Sequence, residues 1–83
     1  VLNDYNDRNT VVAHLSLDHN ERAMELLATM PKDAVTEYLR AIACSRLGRK
    51  AEGREHFLEA CRLDGRMEYR GNLDPEIAEL LKQ

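Results

Sequence analysis

Apolar residues recur along this chain at helical spacing, and one pattern of them occurs twice, thirty residues apart. Val12-Ala13-His14-Leu15-Ser16-Leu17-Asp18 leads into Glu21-Arg22-Ala23-Met24-Glu25-Leu26-Leu27. Ile42-Ala43-Cys44-Ser45-Arg46-Leu47-Gly48 leads into Ala51-Glu52-Gly53-Arg54-Glu55-His56-Phe57. Each copy reads as an apolar helix, a tight turn and a second helix with small residues on its inner face. Five helices are predicted. The first spans 4–17. Asp18 and Glu21 are expected to form a capping box that opens the second, which runs to Thr29. Pro31 stops it by biasing Met30 away from helical geometry.

Asp33 is the expected N-cap of a third helix at 34–47. Val35, Tyr38, Leu39, Ile42 and Leu47 follow helical spacing there, and Ala41, Ala43 and Cys44 fill in. So wide an apolar arc implies cover on more than one side. Gly48 suits a left-handed C-cap. The fourth helix, 50–63, presents Gly53, Phe57, Ala60 and Cys61 on one face, its small residues admitting a close neighbour. Residues 65–73 read as an ordered loop. Asp74-Pro75-Glu76 then starts a last helix at 75–82, with Ile77, Leu80 and Leu81 on one side and Glu76, Glu79 and Lys82 on the other.

A repeat of this size implies stacked helical hairpins, which share a core with their neighbours and usually serve as binding surfaces. The expected fold class is all-α. Two antiparallel hairpins, 4–30 and 33–64, stack in a right-handed turn and are closed by a capping segment at 74–83. The whole forms one domain, 1–83. The start at Val1 rather than Met is read as an excised piece of a longer chain with more repeats before it.

Composition changes this picture little. Apolar residues make up 43% and charged residues 33%, ordinary values for a soluble helical domain. The formal net charge of −3 argues against nucleic acid as a partner. Arg46, Arg49, Lys50 and Arg54 form the one basic concentration and read as a solvated rim. No apolar run is long enough for membrane insertion. The compartment stays open between cytoplasm and periplasm.

No enzyme chemistry, cofactor or metal is expected. Cys44 and Cys61 are seventeen apart and outside any CxxC pair, so both are assigned to core packing. A disulfide between them stays open should their helices prove antiparallel partners. His14 and His19 are five apart, which is not the spacing that sets two ligands on one helical face. His14 and Cys44 are equivalent in the two copies, and a site between them in space is the one metal arrangement the repeat suggests. No catalytic or phosphate-binding motif is present.

The stretch Glu37-Tyr38-Leu39-Arg40-Ala41-Ile42-Ala43-Cys44-Ser45-Arg46-Leu47-Gly48, followed by Phe57-Leu58-Glu59-Ala60 and Leu63-Asp64, resembles tetratricopeptide repeats. Ala41, Gly53, Phe57 and Ala60 match the family's small, small, aromatic and Ala positions. Departures are plain. Glu37 stands where a large aromatic is usual, Arg40 where Leu is usual, Cys44 for Tyr and Gly65 for Pro. The first copy keeps only Val11, Ala23, Leu27 and Met30, and the repeat is thirty residues rather than thirty-four.

The resemblance implies a concave face lined by the first helix of each hairpin, on which a protein or peptide partner lies. Carried over by position, that face comprises Tyr5, Arg8, Asn9, Val12 and Ser16, then Tyr38, Leu39, Ile42, Ser45 and Arg46. Arg8, Asn9, Val12, Ser16, Tyr38, Ile42 and Arg46 are its expected contact residues. A chaperone-tail clamp is not expected, because Val12 and Ile42 stand where the clamp needs a donor. In the last loop, Tyr69 is expected to pack the final helix, with Arg66 and Arg70 pairing acids such as Glu68 and Asp74. A partner contact by the same loop is the competing reading.

The expected function is therefore a non-enzymatic protein-interaction module. The alternative is a structural end-cap of a longer repeat scaffold. Exposure of Val11, Val12 and Leu15 would favour the scaffold end and would also predict self-association through the first helix.

Overall fold

A computed structural model of the chain describes residues 8–82, the side chain of Arg8 excepted. The described residues form α1 (Arg8–Ser16), α2 (Asn20–Ala28), α3 (Ala34–Arg46), α4 (Lys50–Leu63), α5 (Arg66–Asn72) and α6 (Pro75–Leu81). They are all-α, as expected. The predicted first turn of α1, residues 4–7, and Tyr5 with it, lies outside the described residues.

The two hairpin turns have the same backbone. Gly48 has φ of +81° and Asp18 has φ of +61°, so each is the left-handed residue that ends its helix. The His19 amide donates to the His14 carbonyl at 2.8 Å, and the Arg49 amide donates to the Cys44 carbonyl at 2.8 Å. The thirty-residue offset thus holds residue for residue through both turns. It also corrects the expected capping box. Asp18 closes α1 and does not open α2, whose N-cap is His19 without a side-chain bond. Asp tolerates a left-handed backbone better than most residues, which is how it stands in for glycine.

Asp33 behaves as its sequence suggests. Its carboxylate accepts from the Thr36 amide at 2.8 Å, and the Thr36 hydroxyl accepts from the Asp33 amide at 2.9 Å. At the far end, Asp74 accepts from the Glu76 amide at 3.0 Å with Pro75 in the first turn.

α3 is the centre of the molecule. Leu39 and Ala43 join Val11, Leu15, Ala23, Leu26 and Leu27 in one core, on the side of α1 and α2. Tyr38 and Ala41 join Phe57, Ala60, Met67, Ile77 and Leu80 in another, on the side of α4, α5 and α6. Val35 and Ile42 touch both. The wide apolar arc of α3 is therefore covered on two sides. Gly53 lets α4 come close: a Cβ there would lie 3.1 Å from the Ala41 carbonyl oxygen. Val11 and Leu15 are buried in the first core, so only Val12 of the three test positions on α1 is exposed.

The predicted loop at 65–73 is instead mostly helix α5, which buries Met67 and Gly71 at i and i+4. Glycine is a poor helix former, and two of them hid the element. Packing explains Gly71: a Cβ there would stand 2.5 Å from Phe57 Cε1 and 3.0 Å from Ile77 Cγ2. Tyr69 does not pack the final helix, being 71% exposed; Met67 fills that role. Arg66 pairs Asp64 at 2.9 Å, and Arg70 lies over the Tyr38 ring, 5.0 Å from its centroid.

Gly71→Ala should therefore lower stability by about 1–2 kcal/mol, overpacking outweighing the gain in helix propensity. Gly65→Ala, with nothing within 4 Å of its Cβ, should stay within about 0.5 kcal/mol. Urea midpoints of the two variants against the parent chain check both.

Candidate functional site

The expected concave face divides on folding. Asn9, Val12 and Ser16 are exposed along α1, with Val12 at 47%. Ile42 and Ser45 are half-buried and Leu39 is buried. Tyr38, expected on that face, is buried to 2% exposure between α3 and the C-terminal helices. Its ring meets Phe57 edge-on at 6.0 Å between centroids, and its hydroxyl donates to Asp74 Oδ2 at 2.8 Å. Burial, and then the hydrogen bond to Asp74, push the Tyr38 phenol well above its ordinary pKa. It is a fixed donor, not a contact residue.

Arg46 is also recruited internally. Nε and Nη2 donate to the two carboxylate oxygens of Glu76 at 2.8 and 2.7 Å, a bidentate pair. Nη1 donates to the Leu15 carbonyl at 2.6 Å, in the last turn of α1. The guanidinium thus caps one helix and holds the start of another. The Glu76 hydrogen bonds raise the Arg46 pKa further. Tyr38 is internalised and Arg46, still exposed, is paired because α6 folds back onto α3, an event the local pattern does not encode.

A second cluster lies between α3 and α4. Glu37 is 2% exposed. Arg40 Nη1 donates to its Oε2 at 2.7 Å, and His56 Nδ1 sits 2.8 Å from its Oε1. Arg40 Nη2 donates to the Leu27 carbonyl at 2.6 Å, in the last turn of α2. A buried carboxylate without partners would cost several kcal/mol, so both oxygens are matched. Beside it, Cys44 Sγ, a Glu52 carboxylate oxygen and one ring nitrogen of His56 all lie within 4.8 Å of one another. Burial, and then the charge of Glu52, raise the Cys44 thiol pKa. A cavity of about 320 Å³ opens along Met24, Ala28, Arg40 and His56.

The sequence reading missed this cluster. Glu52 and His56 at i and i+4 were its one local signal. Of the two positions the repeat makes equivalent, His14 lies against His19, with Nδ1 atoms 3.5 Å apart, while Cys44 faces Glu52 and His56. Both cysteines are free thiols. No helix among the described residues is long and apolar enough to cross a membrane.

No protein-family model, curated protein or solved structure matches this chain.

Tyr38→Phe should cost about 1.5 kcal/mol, the worth of a hydrogen bond to a charged group. Asn9→Ala, exposed on α1, should stay within about 0.5 kcal/mol. Urea denaturation of both variants separates an internal strut from a surface residue, and an unchanged midpoint for Tyr38→Phe would remove the hydroxyl from the account of how α6 is anchored.

Proposed function

We propose that this chain is a non-enzymatic protein-interaction module whose partner packs on the outer face of α1. One observation carries this reading. Asn9, Val12, Ala13 and Ser16 are exposed at i, i+3, i+4 and i+7, and the stripe holds no charge. Charged residues are 33% of the chain, so an exposed helical face without one is unusual for it. Leu17, 65% exposed, extends the stripe at its C-terminal end. Interface centres are depleted of charge, and small side chains admit close approach of a helix or an extended peptide with an apolar anchor. In this reading Tyr38 and Arg46 act from behind, by holding α6 and the end of α1 in place. The likeness to tetratricopeptide repeats supports it in kind, since first helices are the recognition elements there.

The scaffold-end reading has its own support. α6 buries Ile77 and Leu80 completely and turns Glu79 and Lys82 to solvent, as a terminal helix should. Tyr69 and Leu73, 71% and 70% exposed, and Leu81, 38% exposed, are apolar exceptions at that end. In this reading the α1 stripe receives a preceding hairpin. Val12→Glu would then lower stability only in a longer chain that carries that hairpin, by about 2 kcal/mol, and leave these 83 residues unaffected.

Affinity capture with the parent chain, a Val12→Glu/Ser16→Glu variant and a Tyr69→Ser/Leu73→Ser variant tests the module directly. Circular dichroism first establishes that each variant keeps its helices and melting temperature. A partner held by the parent and by the α5 variant, but at least tenfold more weakly by the α1 variant, is the expected result. Loss by the α5 variant alone would move the surface to the other end of the molecule. Equal capture by all three, or none, would overturn the reading.

A further inference from the structure

We propose that Cys44, Glu52 and His56 are the ligands of a zinc-type divalent metal ion, with Glu37 orienting the histidine. The site is independent of the α1 surface and departs from the sequence expectation of no metal. Its geometry starts from the packing of α3 against α4, which Gly53 lets come close. Glu52 and His56 lie one turn apart on α4, so their side chains share a face. Gly53 follows Glu52, and a Cβ on it would lie 3.4 Å from Cys44 Cβ. The absence of that Cβ brings Cys44 of α3 up against α4. The three donor atoms then fall within 4.8 Å of one another.

Tetrahedral zinc holds sulfur at about 2.3 Å and nitrogen or oxygen at about 2.0–2.2 Å, which sets neighbouring donors about 3.5 Å apart. Closing the remaining gap takes about 1 Å of side-chain movement. Glu52 is exposed on a flexible side chain and is free to supply it.

The histidine is prepared for the task. Its Nδ1 is 2.8 Å from Glu37 Oε1, and the other Glu37 oxygen is taken by Arg40 at 2.7 Å. An ionised, buried carboxylate accepts the Nδ1 proton and leaves the Nε2 lone pair for a metal. Metal-binding histidines characteristically have such a carboxylate behind them. Charge also balances. A thiolate and the Glu52 carboxylate neutralise a dication, while Arg40 neutralises Glu37. Binding releases the thiol proton to solvent.

One sulfur, one nitrogen and one oxygen make a borderline-soft set that suits zinc or cobalt(II) and not magnesium or calcium. Three protein ligands leave a fourth position for water or a partner's side chain. The cavity along Met24, Ala28, Arg40 and His56 leaves room beside the histidine. The competing account is a purely internal role, in which His56 only satisfies Glu37 and Cys44 only packs.

Cobalt(II) titration of the whole chain under reducing conditions decides between them. The expected result is one equivalent bound, with a thiolate-to-cobalt charge-transfer band and intense tetrahedral d–d bands, both displaced by zinc. Cys44→Ser should abolish the charge-transfer band, and Cys61→Ala should retain it. Glu52→Gln, at an exposed position that does not threaten folding, should weaken binding at least tenfold. Glu37→Gln should weaken it about 10–100-fold through the orientation of His56. Zinc should raise the melting temperature of the parent chain by more than that of Glu52→Gln at the same concentration. Absence of the band at millimolar cobalt, its survival in Cys44→Ser, or unchanged affinity in Glu52→Gln would overturn the site.

Discussion

Burial of α3 on two sides is the constraint from which the other features follow. A helix in that position has little room for an unpaired charge, yet this one carries Glu37, Arg40 and Arg46. Each is resolved by the same device. Arg40 joins Glu37 to the last turn of α2, and Arg46 joins Glu76 to the last turn of α1. Two arginines on one helix thus satisfy carbonyls at the ends of α1 and α2, where positive charge is favoured. The polar residues of α3 join separate elements that apolar packing alone would leave free to slide.

This arrangement binds the two cores into one unit. A chain of 83 residues buries a modest share of its surface, so single contacts count heavily. Tyr38 spans the second core and anchors Asp74, which in turn caps α6. α6 also carries Glu76, the partner of Arg46. Two independent polar contacts therefore fix the short last helix along α3, in addition to the burial of Ile77 and Leu80. A helix of seven residues has little stability of its own, and these contacts supply the reason it forms.

Three polar or reactive side chains of the third helix also come together. Glu37, Arg40 and Cys44 meet around His56, where α3 packs against α4. Substituting polar for apolar residues at scattered sites would leave unsatisfied groups in the core. Here they fall on one side of one helix, next to a histidine that accepts their company. Exposed groups follow a different rule. The stripe of Asn9, Val12, Ala13 and Ser16 on α1 is exposed and lacks charge altogether.

Helix periodicity, two turn signals and the strong caps at Asp33 and Asp74 made most of the architecture legible, because each depends on residues within one or two turns. The thirty-residue offset and the double-sided cover of α3 belong to the same category. Local rules failed where two of them competed. Asp18 had the chemistry of an N-cap and the position of a left-handed C-cap, and backbone closure of the hairpin decided for the latter. Gly71 looked like a helix breaker until Phe57 and Ile77 occupied the space of its missing side chain. Tyr38 looked like a surface residue until α6 folded over it, and Arg46 looked free for a partner until Glu76 paired it. Cys44, Glu52 and His56 shared no contiguous motif, since one lies on α3 and two on α4. Sequence alone determined the described elements other than α5 and which faces were apolar, because hydrogen bonding and periodicity act over a few residues. Tertiary structure decided which polar groups became internal partners, because that depends on distances between helices that no local pattern specifies.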